Sequence, residues 1–269
     1  MINRIRAAIG RRLAAYLSKS LPGYRRYDTV SVAGVASVLQ PGDILLVEGD
    51  SRISVAIKYL SQSSWSHACL YVGSGGEAPD EPVLLEADLR NGVHLVPLNK
   101  YAQFNLRICR PVGLSAEESS TLTEFARSKL GHQYDLKNIL DMIRYLVQRP
   151  AVPNRYRRSM LALGSGDPTR AICSTLIAQT FQHIDYPILP RLGYEGDDGE
   201  VPAFYKPHFT HYTPRDFDVS PYFCIIKPTV EQGFDFRTLQ WTVVESESVS
   251  ESVGEREGEG EGEGDTQNT

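Results

Sequence analysis

The chain has few cysteines, no long apolar run and no phosphate-binding loop, and each absence excludes a class of protein. Its four cysteines lie singly among 269 residues, with no Cys-x-x-Cys pair and no metal-ligand spacing. We therefore expect free thiols in a reducing compartment, without a disulfide framework or a bound metal. No apolar stretch reaches the roughly 18 residues of a membrane-spanning helix, and the basic N-terminus lacks the apolar core and cleavage site of a secretory signal. The sequence thus predicts a cytoplasmic protein.

A short glycine cluster gives no sign of a nucleotide site. Residues 73–76 read Gly-Ser-Gly-Gly after a predicted strand, but the lysine and the helix that a phosphate-binding loop requires do not follow. We therefore expect no cofactor.

Charge is concentrated at the two ends of the chain. Residues 1–27 carry seven basic side chains and no acidic one, whereas residues 245–269 carry nine acidic side chains and one arginine. The acidic tail has almost nothing apolar to bury, so it is predicted to be disordered. The sequence therefore divides into a basic N-terminal segment (1–27), a globular domain (28–244) and a disordered acidic tail (245–269).

The basic segment has the pattern of an amphipathic helix. Its apolar side chains recur on one helical face, namely Ile2, Ile5, Ile9, Leu13, Tyr16 and Leu17. Such a helix either lies on an anionic membrane surface, as a peripheral association, or packs its apolar stripe on the domain, and the sequence leaves both open. Nucleic acid is not expected as a partner, because the domain is acidic and has no basic patch interleaved with aromatic residues.

The domain has a strand-rich first half followed by helices. Short apolar or alternating runs bounded by turn residues predict strands at 44–47, 67–73, 83–87, 93–97, 105–110 and 222–226. Apolar residues at helical spacing predict helices at 54–61, 115–130, 136–147 and 173–184. Residues 149–170 are predicted to form a loop, and residues 187–222 to be irregular. This order is typical of an α+β domain.

One cysteine has the position of a thiolate nucleophile. Cys173 opens a predicted helix, after a Gly-, Ser- and Pro-containing stretch that cannot continue a helix. Free backbone N–H groups and the positive end of the helix dipole lower the pKa of a thiol placed there. Cys173 is therefore predicted to be the nucleophile of a cysteine hydrolase or acyltransferase. The other three cysteines, Cys69, Cys109 and Cys224, lie in apolar strand patterns and are predicted to be core thiols.

A base and an orienting carboxylate are available upstream. His67 begins a predicted strand, and a histidine there can hold the thiolate as an ion pair and later protonate a leaving group. Glu86 ends an apolar strand, where a carboxylate would fix the imidazole tautomer and stabilise the imidazolium. Asp88 is the substitute if Glu86 points elsewhere. Tyr134, between two predicted helices, either packs or lines the site and donates to an oxyanion.

Five motifs follow one another along the chain in a recognisable order. They are Pro41-Gly42-Asp43-Ile44-Leu45-Leu46, Ser66-His67-Ala68-Cys69-Leu70-Tyr71-Val72-Gly73, Leu85-Glu86-Ala87 with Gly92-Val93, Gly131-His132-Gln133-Tyr134-Asp135, and Ile172-Cys173-Ser174-Thr175-Leu176-Ile177. Over residues 38–227 the chain resembles the circularly permuted NlpC/P60 papain-like hydrolases of the YiiX/YebB type, relatives of the lecithin-retinol acyltransferase group. The resemblance implies a permuted papain-like α+β fold, with an antiparallel sheet or small barrel packed against helices.

The resemblance also assigns roles by position. It implies that Cys173 is the nucleophile, His67 the base and Glu86 the residue that orients the base. Tyr134 stands where the family has a site-lining tyrosine. Thr175 departs from the family, which often has glutamate there, so the resemblance does not fix the substrate.

Three functions are open on the sequence. The first, which we expect, is a thiol hydrolase that cleaves an amide or peptide-type bond through an acyl-enzyme at Cys173. The second is a lipid-directed thiol acyltransferase or phospholipase-like enzyme at a membrane surface, favoured by the amphipathic N-terminus. The third is a non-catalytic module that binds peptide or lipid, against which the intact set of cysteine, histidine and carboxylate argues.

Overall fold

The computed structural model describes six stretches of the chain, residues 15–27, 30–75, 80–88, 91–132, 172–195 and 201–238. Several predictions lie outside them: Tyr134, the helix at 136–147, the loop at 149–170, the acidic tail and the apolar stripe at 2–13. The chain divides into two compact units, Met1–Phe234 and Asp235–Thr269. The described residues of the second unit contain a 3₁₀ turn, Phe236–Thr238. The boundaries proposed after residues 27 and 244 stay predictions.

An antiparallel sheet forms the centre of the first unit. Its strands, numbered along the chain, are β1 (Ile44–Val47), β2 (His67–Ser74), β3 (Pro82–Asp88), β4 (Gly92–Pro97), β5 (Leu106–Pro111) and β8 (Phe223–Ile226), and a separate pair is formed by β6 (Arg191–Glu195) and β7 (Val201–Tyr205). The order across the six-stranded sheet is β4-β3-β2-β1-β5-β8. Every neighbouring pair in it is antiparallel, and its six strands confirm the six predicted ones.

Helices pack against this sheet, as the predicted α+β class requires. The described helices are α1 (Val32–Ala36), α2 (Arg52–Ser61), α3 (Ala116–Ser128), α4 (Ile172–His183), α5 (Pro214–Asp218) and α6 (Pro228–Glu231), with 3₁₀ turns at Leu98–Tyr101 and Phe209–His211. Helix α3 starts at a capping box, in which Ser115 and Glu118 each accept a backbone hydrogen bond from the other. None of the described helices has the length and apolarity needed to cross a membrane.

The sheet is buried on both faces, because successive side chains of a strand point to opposite sides. One face packs against α4 through a core that includes Ile44, Leu70, Leu85, Leu176, Ile177 and Phe181. The other face is covered by α1 and the 3₁₀ turn Leu98–Tyr101, in a core that includes Val35, Leu45, Cys69, Leu84, Leu98 and Tyr101. The turn and α4 therefore lie on opposite sides of the strands that carry the predicted base and carboxylate.

The described part of the basic segment runs along the domain. Leu17 is buried, the carbonyl of Lys19 accepts a hydrogen bond from the backbone N–H of Arg52 at 3.2 Å, and the N–H of Leu21 donates to the carbonyl of Asp50 at 2.9 Å. These contacts hold residues 17–21 against the start of α2.

Two sequence predictions are wrong. Residues 187–222 are not irregular throughout: they contain the antiparallel pair of β6 and β7, the 3₁₀ turn Phe209–His211 and α5. The proline and glycine content obscured the alternation of the two short strands. Cys224 is exposed rather than a core thiol, because β8 is an edge strand and the side chain opposite buried Phe223 is left uncovered.

Candidate active site

The start of β2 is fixed by contacts of the residues that precede His67. The backbone N–H of Ser66 donates to the carbonyl of Val47 at 3.1 Å, and the Ser66 hydroxyl accepts a hydrogen bond from the N–H of Gly49 at 2.9 Å. His67 itself pairs with Val47 at the last position of the β1–β2 ladder. The imidazole therefore projects from a strand end whose backbone position is well determined.

Glu86 lies beside His67 on the neighbouring strand. Its carboxylate is almost completely buried, with 1% of the side chain exposed, and its Oε2 lies 3.2 Å from Nε2 of His67. Asp88, the alternative, instead accepts hydrogen bonds from the backbone and side-chain nitrogens of Asn91 in the β3–β4 turn. The structure thus brings Glu86 to the position that an orienting carboxylate needs.

Four further side chains contact the carboxylate of Glu86, one of them the thiol of Cys69, whose Sγ lies 3.9 Å from Oε2. Nε2 of His94 lies 2.9 Å from Oε1, the ammonium of Lys100 contacts the same oxygen, and the phenol of Tyr101 donates to Oε2. Burial alone would raise the pKa of this carboxyl group. The hydrogen bond and charge of His67, followed by the charge of Lys100, overcome burial and hold its pKa far below the usual range.

Sequence reasoning selected none of His94, Lys100 and Tyr101 as site residues. The hairpin register could have indicated His94: once Asp88 pairs with Gly92, counting back two residues places Glu86 opposite His94. Lys100 and Tyr101 lie in a 3₁₀ turn, which has no periodic pattern that would reveal a contact with Glu86.

Cys173 lies in the first turn of α4, and its side chain is buried. Its thiol lies close enough to the imidazole of His67 and the backbone of Ala68 for both to act on its pKa. Burial opposes ionisation of the thiol, but the charge and hydrogen bond of His67 outweigh burial and lower the pKa of Cys173. Burial likewise opposes the charged form of His67, yet the neighbouring thiols Cys69 and Cys173 raise its pKa well above the usual value. A thiolate–imidazolium pair is the charge state that this geometry favours.

A second thiol approaches the same imidazole. Cys69 is fully buried, its Sγ lies 3.3 Å from the hydroxyl of Tyr101, and it is hydrogen-bonded to His67. Burial nevertheless raises the pKa of this thiol, despite the opposing charge of His67. Cys69 is therefore a buried core thiol, as the sequence predicts, and its pKa is shifted in the opposite direction from that of Cys173.

The residues around Glu86 are of types that bind metal ions, but the ammonium of Lys100 already contacts the carboxylate. Ligand atoms of His67, Cys69 and Glu86, and those of Glu86, Asp88 and His94, lie within 4.8 Å of one another. Both groups share Glu86, whose Oε1 is in contact with the ammonium of Lys100. A metal ion at Oε1 would therefore compete with this ammonium for the same oxygen.

Part of this chain is similar to known proteins. Residues 38–145 match a family described as "Permuted papain-like amidase enzyme, YaeF/YiiX, C92 family". The "Probable lipoprotein peptidase YaeF" of Escherichia coli (strain K12) is 23% identical over 166 residues, which cover 56% of this chain and 58% of that protein. This chain thus spans less than two thirds of the length of that relative.

A solved structure is also similar. The structure titled "metalloprotein yiiX from Escherichia coli O157:H7" has 18% sequence identity and a TM-score of 0.44, and the match covers 70% of this chain and 96% of that one. In this chain, as in a permuted papain-like fold, the strands that carry His67 and Glu86 precede the helix that carries Cys173. The family match over residues 38–145 and this order of elements confirm the resemblance to the permuted papain-like hydrolases that the motifs predict.

Proposed function

We propose that this protein is a cysteine hydrolase that cleaves amide or peptide-type bonds, with Cys173 as nucleophile, His67 as general base and acid, and Glu86 as the residue that orients His67. The observation that carries the proposal is the placement of His67 between the thiol of Cys173 and the buried carboxylate of Glu86. The pKa of Cys173 is lowered and that of His67 is raised. Such a pair holds both the nucleophile and the acid in their reactive forms at the same pH.

In the first half of the reaction, the thiolate of Cys173 attacks the carbonyl carbon of the substrate. Collapse of the tetrahedral species breaks the carbon–nitrogen bond, and the leaving amine takes a proton from the imidazolium of His67. The products are a free amine and a thioester on Cys173. Glu86 stabilises the imidazolium before this transfer and keeps the ring in place after it, because its Oε2 remains within hydrogen-bond distance of Nε2.

In the second half, neutral His67 takes a proton from water as the water oxygen attacks the thioester carbonyl. The carbon–sulfur bond then breaks, which releases a carboxylic acid and regenerates the thiolate–imidazolium pair. The first turn of α4 adds backbone N–H groups near the sulfur, and such groups favour the negative charge of the thiolate.

The substrate that we propose is a peptide or acyl-amide bond. The family description names an amidase, and the name of the YaeF relative refers to lipoproteins, which makes lipid-modified peptides the first class to screen. The lipid-directed alternative depends on the N-terminal amphipathic helix. Its apolar stripe at residues 2–13 lies outside the described part of the chain.

The decisive experiment detects the acyl-enzyme. We expect a burst of p-nitrophenolate from p-nitrophenyl acetate and an acetyl group on Cys173 in peptide mass spectra, both absent in Cys173→Ala. Cys224→Ala, which removes an exposed thiol, serves as the matched control and should retain the burst. A burst that persists in Cys173→Ala and disappears in another cysteine variant would reassign the nucleophile.

A further inference from the structure

Glu86 receives donors at both of its oxygens from a single short turn. Lys100 contacts Oε1 and Tyr101 donates to Oε2, and the two residues are adjacent at the end of the 3₁₀ turn Leu98–Tyr101. Because consecutive side chains reach the two oxygens, the carboxylate cannot rotate without breaking at least one of these contacts.

The turn is itself firmly held. Leu98 is 1% exposed and Tyr101 5% exposed, and both belong to the core on the face of the sheet opposite α4. The ring of Tyr101 also lies 6.0 Å from the imidazole of His67, centroid to centroid, in a tilted arrangement. The position of Glu86 is therefore set by the second core of the domain, independently of α4.

Charges alternate along a row that begins at the reactive sulfur. Cys173 and Glu86 carry negative charge, and His67 between them carries positive charge. Lys100 extends the row with a fourth charge, which is positive, while its side chain keeps 42% exposure. With Lys100, the buried pair of negative groups is balanced by two positive ones. Without it, the charge of His67 would have to compensate both Cys173 and the nearly buried carboxylate of Glu86.

From this geometry we infer that Lys100 and Tyr101 are positioning residues, which clamp Glu86 and through it fix the orientation and the charge state of His67. The inference rests on the proposed function, since the clamp matters for catalysis only if His67 and Cys173 react. A purely structural role for the same contacts would affect folding stability but not the titration of the Cys173–His67 pair in the folded protein.

The effect of Lys100 on titration has a definite sign. Removal of a positive charge disfavours every neighbouring anion and favours every neighbouring cation, so it raises the pKa of both Cys173 and His67. The groups that face His67 are Cys69 on its own strand, Cys173 on α4, Glu86 on β3 and Tyr101 on the turn. None of these is altered in Lys100→Met, so the shift can be attributed to the lost ammonium.

The experiment measures the pH dependence of Cys173 alkylation by iodoacetamide in the full chain, read by peptide mass spectrometry. We expect the acid limb in Lys100→Met to move upward by about half a pH unit, with at least a threefold loss of rate on that limb. Lys100→Arg should restore the wild-type profile. Lys58→Met is the matched control, because Lys58 also pairs with a carboxylate, that of Glu48 at 3.4 Å, and it should leave the profile unchanged.

Tyr101→Phe tests the hydrogen bond from Tyr101 to Oε2 of Glu86. It keeps the buried ring and removes only the hydroxyl, so we expect acylation by p-nitrophenyl acetate to slow by about tenfold, within the range of a lost positioning contact, while KM stays the same. Tyr186→Phe is the control, since that hydroxyl donates to the carbonyls of Val112 and Tyr222. It should lower stability without slowing acylation.

The outcomes separate the two proposals. A wild-type Cys173 that alkylates with the pH dependence of exposed Cys224 would overturn the proposed function itself. A wild-type Cys173 that reacts at low pH, with Lys100→Met and Tyr101→Phe both indistinguishable from their controls, would overturn the clamp alone. Lys100 is partly exposed, so its variant keeps the test decisive even if Tyr101→Phe fails to fold.

Discussion

His67 and Glu86 form a close contact between neighbouring strands, with 3.2 Å between Nε2 and Oε2. The carboxylate is buried to 1% exposure, whereas 22% of the imidazole side chain is exposed. Glu86, the buried partner, thus fixes the position of the pair. His67, the partly exposed partner, is the one that a substrate can reach.

Replacement of Glu86 by glutamine should separate orientation from general packing. Glu86→Gln keeps the shape of the side chain, but its amide has one acceptor oxygen in place of the two that these neighbours contact, and its NH₂ group would face His67 or Lys100. We expect acylation by p-nitrophenyl acetate to fall by about 100-fold, typical of a lost acid–base function. Asp88→Asn is the matched control and should change the rate by less than about threefold. The opposite ranking of the two variants would show that Asp88 is the orienting residue.

The pH dependence of Cys173 follows from the signs of its own shift and that of His67. The lowered pKa of Cys173 makes the thiolate persist below the usual thiol range near 8.5. Because the pKa of His67 is raised, its imidazole stays protonated at pH values above the usual pKa of about 6.5. Alkylation of Cys173 should therefore begin at a lower pH than that of Cys224, measured in the same sample. In His67→Ala, the acid limb of the Cys173 alkylation profile should move up toward pH 8.5. An unchanged limb would show that His67 does not act on the thiol of Cys173.

The strands and the proximity of Cys173 to His67 could be predicted because their signals are local or motif-based. Buried strands such as Ile44–Val47 are continuous apolar runs, and the predicted and observed bounds of this strand agree. The approach of Cys173 to His67 spans over 100 residues. No local pattern contains it, so it was predicted through the order of the motifs.

The support of Glu86 was not predictable for a physical reason. Lys100 and Tyr101 act from a 3₁₀ turn, and such a short element leaves no repeating pattern of apolar residues. Their contact with Glu86 depends on how the turn folds back over the β3–β4 hairpin. The short pair of β6 and β7 was missed for a related reason, since proline and glycine within residues 187–222 dominate the local pattern.

The ion pair between Arg110, on β5, and Asp43, just before β1, should contribute to stability without affecting catalysis. Asp43 is 1% exposed, and its carboxylate accepts hydrogen bonds from Nε of Arg110 at 2.9 Å and from the second guanidinium nitrogen at 2.7 Å. Asp43→Asn leaves the guanidinium without its counter-charge, so we expect the free energy of unfolding to fall by about 3 kcal/mol in urea titrations. The burst with p-nitrophenyl acetate should persist in the folded protein.

An exposed ion pair serves as the control for Asp43 and Arg110. Lys206 and Asp185 form an ion pair whose side chains are 54% and 86% exposed, and Asp185 has a positive φ of 57° that asparagine also tolerates. Asp185→Asn should leave the unfolding midpoint unchanged. Equal unfolding midpoints for the two variants would show that burial of Asp43 adds nothing to its pairing.

Gly49 should be intolerant of a side chain because it packs against the residue that precedes His67. A Cβ at this position would lie 2.3 Å from Oγ of Ser54 and 2.8 Å from Oγ of Ser66, closer than real contacts allow. Gly49→Ala is therefore expected to lower the free energy of unfolding by about 1–3 kcal/mol. It should also slow acylation, since the displaced Ser66 moves the start of β2.

Two comparisons make this prediction specific. Gly34→Ala in α1 brings its Cβ no closer than 3.3 Å, to a side-chain methyl group of Val30, so its stability should stay within about 0.5 kcal/mol of the wild type. Adding Ser54→Ala to Gly49→Ala removes the 2.3 Å contact and should restore part of the stability, which a double-mutant cycle would report as a coupling between the two sites. If the two substitutions were simply additive, the contact with Ser54 would not be the cause of the destabilisation. The catalytic loss would then have to arise from the 2.8 Å contact with Ser66, which the double variant retains.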